Sequence, residues 1–285
     1  MATIAELLSQ SKQLQSVSDS AALDVELLLC FCLDKGRSHL RAWPDAKVSS
    51  EHARQFFQLL GRRIDGEPIA YIIGERGFWS LDLQVNSSTL IPRPETELLV
   101  EKTLDLLADV ARADILDLGT GTGAIALALA SEKSSWHIVA SDFQPGAVAL
   151  AETNTTKHSL DNVTVIQSDW FDNIGDQSFD VIVSNPPYID PDDKHLDSGD
   201  VRFEPRSALV AENHGLADLE HIASHASAYL KDQGWLLLEH GYDQSDAVQA
   251  LLRQAGLRKV FTEQDLSGWG RLTGGQFIAG VGTDE

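Results

Sequence analysis

The sequence predicts an α/β fold, a doubly wound and mostly parallel sheet, over residues 93–285. Strand-like apolar runs alternate there with helical segments, which is the pattern of parallel strands joined by helices. A glycine-rich loop at residues 119–123 follows one of these runs, and later runs end at Asp142, Asp169 and Asn185. Ligands in such sheets bind beyond the carboxyl ends of the strands. We therefore expect these positions to form one binding site.

Residues 1–72 predict a small helical domain, because apolar side chains recur there at three- and four-residue spacing between short polar breaks. Between residues 73 and 92 the pattern changes to glycine, aromatic residues and alternation, which predicts a β-hairpin linking two domains. A length of 285 residues accommodates two domains. We expect the helical domain at 1–72, the hairpin linker at 73–92 and the α/β domain at 93–285.

The charge of the chain bears on its partners. The net charge is -21, from 22 basic and 43 acidic residues. Binding of a nucleic-acid backbone is driven by lysine and arginine, so this balance favours a protein or small-molecule substrate. An acidic surface that serves solubility is the alternative explanation. Apolar runs are shorter than the roughly 18 residues of a membrane span, and the N-terminus has no basic region, so we expect a cytoplasmic protein without membrane contact.

No metal site is expected. Cys30 and Cys32 are the only cysteines, and their spacing fits neither a metal hook nor a structural disulfide. His221 and His225 are one helical turn apart, as zinc ligands can be, but no third ligand is evident in the sequence. This pair is predicted to lie on a solvated helix face.

The run Asn185-Pro186-Pro187-Tyr188, which ends the apolar segment 179–184, suits a ligand with a planar NH2 group. The Asn185 side-chain oxygen and a backbone carbonyl of the turn can each accept one N–H of such a group. The two prolines stiffen the turn and remove two backbone donors, so its carbonyls are free to face a ligand. Tyr188 can then cover the flat group. Taken alone, these residues also fit a plain Pro-Pro strand terminator.

The glycine loop predicts a nucleoside-containing cofactor, because glycines allow close backbone approach and the following helix offers free N–H groups. The spacing Gly119-x-Gly121-x-x-Ala124, with Asp142 after the next strand, also satisfies the dinucleotide pattern. Asp117 helps to choose between the two interpretations. Its carboxylate would repel a pyrophosphate but attract the ammonium group of S-adenosylmethionine. The loop therefore favours a methyl donor over a nicotinamide cofactor.

The chain resembles the bacterial methyltransferases that modify a glutamine side-chain amide in peptide chain release factors, which are class I S-adenosylmethionine-dependent enzymes. The resemblance covers nearly the whole length and is carried by residues 91–97, 117–123, 168–171, 185–189 and 199–205. The Asn-Pro-Pro-Tyr run is shared with DNA adenine N6-methyltransferases. The Arg-Pro-Glu-Thr-Glu segment narrows the match, because the related family acting on a ribosomal-protein glutamine differs there. The resemblance implies a class I methyltransferase fold, S-adenosylmethionine as methyl donor and S-adenosyl-L-homocysteine as product.

The resemblance also implies roles for individual residues. The expected cofactor-binding residues are Asp117, Gly119, Thr120, Gly121, Thr122, Gly123, Asp142, Asp169, Trp170 and Asn185. Among these, Asp142 would bind the ribose hydroxyls and Trp170 would pack beside the adenine. The expected catalytic residues are Asn185, Pro186 and Tyr188, with Asn185 and the Pro186 carbonyl holding the glutamine amide. The expected substrate contacts are Arg93, Glu95, Asn185, Pro186, Pro187 and Tyr188.

The implied partner is a class-one release factor, recognised by the domain at residues 1–72, and we expect a monomer. Arg93, Glu95 and Glu97 fit a charged helix start as well as a substrate mouth. Residues 274–276 repeat the Gly-Gly-Gln of the family's substrate, but they are predicted to form a turn and a strand start, so self-methylation is not expected. Four alternatives remain: an N6-adenine methyltransferase of nucleic acid, a ribosomal-protein glutamine methyltransferase, a nicotinamide-dependent oxidoreductase and a non-catalytic S-adenosylmethionine-binding module.

Overall fold

A computed structural model describes residues 1–280, and residues 281–285, the end of the predicted α/β domain, lie outside the described residues. Over the described part of the chain, internal contacts form two compact units. The first comprises Met1–Glu75 and Lys194–Phe203, and the second comprises Arg76–Asp193 and the described residues from Glu204 onward. Within residues 1–280, no helix has the length and apolar character needed to cross a membrane.

The first unit is helical. Its α-helices are α1 (Ile4–Leu8), α2 (Ala21–Leu33), α3 (Arg37–Ala42), α4 (Ser50–Ile64) and α5 (Ile69–Ile73). Helix α1 begins at a capping box, in which Thr3 and Glu6 bond each other's backbone N–H groups. Helices α2 and α4 pack together through fully buried side chains such as Leu28 and Phe56. The helical spacing of apolar residues thus forms one core, as the sequence indicates.

A segment that the sequence places in residues 93–285 belongs instead to the first unit. Lys194–Phe203 contains Asp200, whose carboxylate accepts a hydrogen bond from Arg63 of α4 at 2.8 Å. Arg63 is buried and also pairs with buried Asp24 of α2 at 2.8 Å. A buried guanidinium needs such partners, since an unpaired charge would be costly. The arginine therefore ties this segment to the helical unit.

The hairpin predicted as a linker at residues 73–92 has a different place. Its strands are β1 (Glu75–Phe78) and β2 (Leu81–Gln84), which pair with each other. Phe78 and Leu83 are buried in the core of the second unit, so from Arg76 onward the hairpin is part of that unit. The alternation of apolar and polar residues correctly predicted the strands. This alternation does not indicate which of the two cores the strands join.

The remaining helices and strands of the described chain follow in order. They are α6 (Glu97–Leu106), β3 (Asp114–Leu118), α7 (Ala124–Glu132), β4 (His137–Asp142), α8 (Pro145–His158), β5 (Val163–Gln167), β6 (Phe179–Ser184), α9 (Glu212–Gly215), α10 (Ala217–Ala226), β7 (Leu230–Glu239), α11 (Ser245–Gln254), β8 (Arg258–Gln264) and β9 (Gly270–Gln276).

Within residues 1–280, these strands form a seven-stranded sheet in the order β5-β4-β3-β6-β7-β9-β8. The pairs among β3, β4, β5, β6 and β7 are parallel, and β9 is antiparallel to β7 and β8. The chain moves outward from β3 through β4 to β5 and then returns to the other side of β3 with β6. The strand order therefore reverses between β3 and β6, at the kind of switch point where open α/β sheets bind ligands.

Helices cover both faces of this sheet. Successive side chains of a strand point to opposite faces, so Ile115 packs in one core with Leu127 of α7, and Leu116 packs in the other with Ile222 of α10. Strands that are buried on both faces form continuous apolar runs in the sequence, and these runs are what predicted the strands. The predicted doubly wound, mostly parallel α/β fold is confirmed.

The prediction for residues 274–276 was wrong in detail. They form the end of β9 and not a turn with a strand start, and all three are buried. A Cβ atom at Gly274 would lie 2.6 Å from the Phe261 ring, so glycine is required by close packing between β9 and its neighbours. Gln276 is paired with Trp235 of β7 and Arg258 of β8.

Candidate active site

A cavity of about 280 Å³ opens at the switch point, beyond the carboxyl ends of β3 and β6. Leu118 is paired with both Ser141 and Ser184, so the residues that follow β3, β4 and β6 meet there. The predicted site residues that line it are Arg93, Gly119, Thr120, Gly121, Thr122, Asp142, Asp169, Trp170, Asn185 and Pro187. The predicted residues outside its lining are Glu95, Asp117, Gly123, Pro186 and Tyr188.

The loop between β3 and α7 has a backbone that requires glycine. Gly119, Gly121 and Gly123 have φ angles of 69°, 57° and 85°, in the left-handed region that other residues enter at a cost. Gly123 is the N-cap of α7, and a Cβ there would meet Leu127 at 3.1 Å. The loop can therefore lie close to a ligand with its backbone exposed to the cavity.

Asp117 lies beneath this loop. It is fully buried at the carboxyl end of β3, where Oδ2 accepts hydrogen bonds from the Thr120 hydroxyl at 2.6 Å and from the Ala126 N–H at 3.2 Å. Its other oxygen, Oδ1, has no hydrogen-bond partner among residues 1–280. Burial raises the pKa of this carboxyl to about 7. Asp117 therefore braces the loop and keeps one unsatisfied acceptor below the cavity.

Asp142, the last residue of β4, faces the cavity in a fixed orientation. Its Oδ2 accepts the Gly121 N–H and its Oδ1 accepts the Gln144 N–H, both at 2.9 Å. Burial raises the pKa of this carboxyl above its ordinary value. Each carboxylate oxygen has a second lone pair, so the side chain can still accept hydrogen bonds from a ligand's hydroxyl groups.

One wall of the cavity is made by the segment after β5. Trp170 has a left-handed backbone with φ of 43°, and the Ser168 hydroxyl donates to its carbonyl at 2.9 Å. Its ring faces the glycine loop, since a Cβ at Gly119 would lie 3.7 Å from it. Asp169 and Asp218 line the same cavity. Burial raises the pKa of Asp218, with a smaller contribution from the charge of Asp169.

Asn185 enters the cavity from the end of β6 with its amide orientation defined. Its Nδ2 donates to Thr96 Oγ1 at 3.1 Å, which leaves Oδ1 as the acceptor end of the amide. The Tyr188 hydroxyl instead donates to Glu239 Oε1 at 3.1 Å, and the Tyr188 carbonyl accepts from Gln244 at 3.0 Å. The tyrosine thus anchors the turn, and the cavity is lined by Asn185 and Pro187.

The charged cluster at residues 93–97 divides between two tasks. Arg93 lines the cavity and donates to the buried carboxylate of Glu204 at 2.6 Å. Glu97 accepts the Trp79 N–H at 2.8 Å and so joins the hairpin to α6. Glu95 is exposed. Of the two interpretations of this cluster, a place at the cavity mouth therefore applies to Arg93 and a structural task to Glu97.

Several cavity residues were not among the predicted site residues. Thr89, Thr96, Phe143, Gln144, Ser207 and Asp218 all line it. Phe143 and Gln144 directly follow Asp142, so their positions after a strand end could have indicated them. Thr96 and Asp218 lie in helical segments, where neighbouring residues give no hint of a distant cavity.

The predicted histidine pair lies on the surface of α10. His221 and His225 are exposed, and their rings stack at 4.4 Å. Within residues 1–280, no group of three histidine, cysteine, aspartate or glutamate residues is arranged to hold a metal ion.

Comparison with known proteins identifies both parts of the chain. The family described as "Methyltransferase small domain" matches residues 94–202, and "PrmC N-terminal domain" matches residues 6–74. Release factor glutamine methyltransferases are similar over nearly the whole chain. That of Pseudomonas aeruginosa is 54% identical, covering 97% of this chain and 99% of its own length. That of Shewanella oneidensis is 51% identical, covering 95% and 94%.

Solved structures of low identity share the fold. A methyltransferase from Pyrococcus furiosus is 16% identical with a TM-score of 0.51, covering 77% of this chain and 98% of its own. The hMettl16 catalytic domain is 20% identical with a TM-score of 0.55, covering 72% and 78%. Relatives that are about half identical over nearly their full length show that the chain belongs to the release factor glutamine methyltransferase family.

Proposed function

We propose that this chain transfers a methyl group from S-adenosylmethionine to the side-chain amide nitrogen of the glutamine in the Gly-Gly-Gln motif of class-one peptide chain release factors, in translation termination. The observation that carries the proposal is the placement of Asn185. Its amide lines the cavity beside the glycine loop, with Nδ2 bonded to Thr96 and Oδ1 left as an acceptor for an NH2 group.

The residues present fit the cofactor. Gly119 and Trp170 both line the cavity, and a Cβ atom at Gly119 would come into contact with the Trp170 ring at 3.7 Å, so the glycine keeps the loop free of a side chain beside this ring. Asp117 is hydrogen-bonded to the lining residue Thr120, and its buried Oδ1 is an acceptor without a partner among residues 1–280. A cationic ligand nearby would stabilise its charge. These features support the assignment of S-adenosylmethionine to this cavity.

Bound S-adenosylmethionine supplies a methyl group on a positively charged sulfur, which makes that methyl electrophilic. In the proposal, the loop at residues 119–123 holds its methionine part, with Asp117 below. Asp142 accepts its ribose hydroxyls, and Trp170 with Asp169 borders its adenine. Asp142 is already fixed by two backbone N–H groups, so it is oriented before the ligand arrives.

The substrate amide needs orientation more than a base. An amide nitrogen is a weak nucleophile because its lone pair is delocalised into the carbonyl, so holding it in line with the methyl group lowers the barrier. We assign this task to Asn185 Oδ1 and the Pro186 carbonyl, which would each accept one N–H. The same acceptors would stabilise the positive charge that grows on nitrogen during transfer. Arg93, at the cavity lining, is proposed to contact the substrate backbone.

Labelled S-adenosylmethionine tests the proposal directly. The full chain is incubated with a release factor, with the same release factor in which the motif glutamine is replaced by glutamate, with the ribosomal-protein substrate of the related family, and with DNA. We expect label in the first protein alone, and mass spectrometry should place one methyl group on the motif glutamine. Label in DNA or in the ribosomal protein would replace the proposal by one of the alternatives.

We further propose that residues 1–72 recognise the body of the release factor. The cavity lining comes entirely from the second unit, so the helical unit is not needed to build it. That unit exposes three aromatic side chains, Phe31, Trp43 and Phe57, at 43%, 61% and 48%. Exposed aromatic residues are typical of protein-binding surfaces.

Replacement of Trp43 and Phe57 by alanine tests this role. We expect a higher KM for intact release factor and an unchanged kcat/KM for a short Gly-Gly-Gln peptide, because the peptide lacks the protein body. Equal effects on both substrates would contradict a recognition role and indicate a general loss of structure.

A further inference from the structure

Thr96 has a hydroxyl group that its local structure does not use. The residue occupies the N-cap position of α6, where threonine commonly caps a helix, yet its side chain makes no capping bond. It is buried, and it lies at the cavity. Its oxygen accepts the Nδ2 hydrogen of Asn185, which is 89 residues away in the chain.

Glu239 lies next to this contact. It is the last residue of β7, is buried, and accepts the Tyr188 hydroxyl at Oε1. The Thr96 hydroxyl lies close enough to Glu239 to lower its pKa and so to favour its ionised form. Its Oε2 has no hydrogen-bond partner among residues 1–280, so the carboxylate has acceptor capacity left. An ionised carboxylate only accepts, so a hydrogen bond between the two groups would use the Thr96 proton and leave the Thr96 lone pairs to Asn185.

We propose that Thr96 and Glu239 are positioning residues that determine which end of the Asn185 amide faces the cavity. An amide has a donor end and an acceptor end of nearly the same shape. With Nδ2 held by Thr96, the oxygen is the end available to a substrate NH2 group. With the amide reversed, the Asn185 NH2 group would face the substrate NH2 group, so two hydrogen-bond donors would meet. This inference rests on the proposed function, since it explains how that site selects an N–H-bearing substrate.

The charge on Glu239 makes the direction of this chain of hydrogen bonds depend on pH. Burial raises its pKa to about 7, the hydrogen bonds from Thr96 and Tyr188 and the charge of Arg271 on β9 lower it, and the charge of Glu95 raises it. When ionised, Glu239 can only accept from Thr96. When protonated, it can donate to Thr96, and the Asn185 amide is then free to reverse. Ionised Glu239 therefore corresponds to the active arrangement, and this form is favoured on the alkaline side of its pKa.

Two substitutions of Thr96 separate positioning from structure. Thr96→Val keeps the shape and removes the hydroxyl, whereas Thr96→Ser keeps the hydroxyl. For methylation of release factor, we expect Thr96→Val to lower kcat roughly 10- to 100-fold, since small misplacements of reacting groups cost that much. Affinity for S-adenosylmethionine and the melting temperature should stay close to wild type, and Thr96→Ser should recover most of the rate.

A double-mutant cycle with Asn185→Ala decides whether Thr96 acts through Asn185. If it does, Thr96→Val lowers the single-turnover rate in the wild-type chain but adds no further loss in the Asn185→Ala chain. Glu239→Gln is the second variant. The glutamine amide can donate a hydrogen bond to Thr96, so the direction of the hydrogen bonds that join residue 239, Thr96 and Asn185 is no longer fixed. We expect it to lower kcat as Thr96→Val does and to abolish the loss of kcat below about pH 7.

The outcomes are distinct. A wild-type rate in Thr96→Val and Glu239→Gln, with an active wild-type enzyme, would overturn the positioning role and leave the proposed function intact. An equal Thr96→Val loss in both Asn185 backgrounds would also overturn it. A wild-type chain that fails to methylate release factor would overturn the proposed function and this inference together.

Discussion

Replacement of Asp142 by asparagine tests how the cofactor cavity is preorganised. Both carboxylate oxygens accept backbone N–H groups at 2.9 Å, from Gly121 and from Gln144. Asparagine has one oxygen and one NH2 group, so either orientation of its amide sets an N–H donor against a backbone donor. An isosteric change is therefore expected to be as disruptive here as removal of the side chain.

The size of the effect follows from the bonds lost. Hydrogen bonds to a charged group contribute about 1.5–3 kcal/mol. The ribose hydroxyls of the proposed cofactor would lose their charged acceptor, so Asp142→Asn should weaken S-adenosylmethionine binding roughly 10- to 150-fold. Asp142→Ala should fall in the same range, because both variants lose the charge and at least one bond that fixes the loop.

Calorimetric titration with S-adenosylmethionine measures the effect. Asp109→Asn is the matched control, because it makes the same charge change at an exposed position away from the cavity, and it should bind as wild type does. Wild-type affinity in Asp142→Asn would refute the reasoning and show that the ribose is held elsewhere.

Three further predictions concern other groups. Asn185→Ala should leave S-adenosylmethionine affinity within a few-fold and lower kcat on the order of a hundredfold or more; near-normal turnover would contradict its role. Arg63→Met should lower the free energy of unfolding by about 3–5 kcal/mol in denaturant titration, because Asp24 stays buried without its partner, whereas Arg62→Met, at an exposed ion pair, should cost less than about 1 kcal/mol. Burial raises the Glu239 pKa from 4.5 to about 7, so its stabilising effect is complete below about pH 4.5 and falls by roughly 3 kcal/mol as pH rises through 7. Glu239→Gln should remove this loss between about pH 5 and pH 8; the wild-type slope in that variant would contradict it.

The sequence predicted the fold and the strand-end part of the site because both depend on local signals. Gly119 and Asn185 each follow a strand and Asp142 ends one, and parallel strands bring their carboxyl ends to one edge. The strand order did not have to be known for these residues to be grouped. For the same reason the sequence correctly predicted a helix directly after the glycine loop, which is α7.

The partners of these residues were not predictable in the same way. Thr96 contacts Asn185 across 89 residues, and Arg63 contacts Asp200 across 137. No local sequence pattern indicates such pairs. The sequence around a charged or polar residue in a helix does not show whether its side chain faces solvent or contacts a buried partner. Tyr188 shows the limit most clearly, because its place in the turn is local but its bond to Glu239 is not.

The charges around the cavity give a physical reason to prefer a cationic ligand over a pyrophosphate. Asp142, Asp169 and Asp218 line it, and Asp117, bonded to the lining residue Thr120, has one oxygen without a partner among residues 1–280. Burial raises the pKa of Asp117 most, and the neighbouring Asp142 charge raises it further, so the carboxyls oppose one another's ionisation. Arg93, a cation at the lining, is already paired with Glu204. A pyrophosphate would add charge of the same sign, whereas a sulfonium and an ammonium group would relieve the repulsion. Although the glycine spacing fits either cofactor, the carboxyls around it favour the methyl donor.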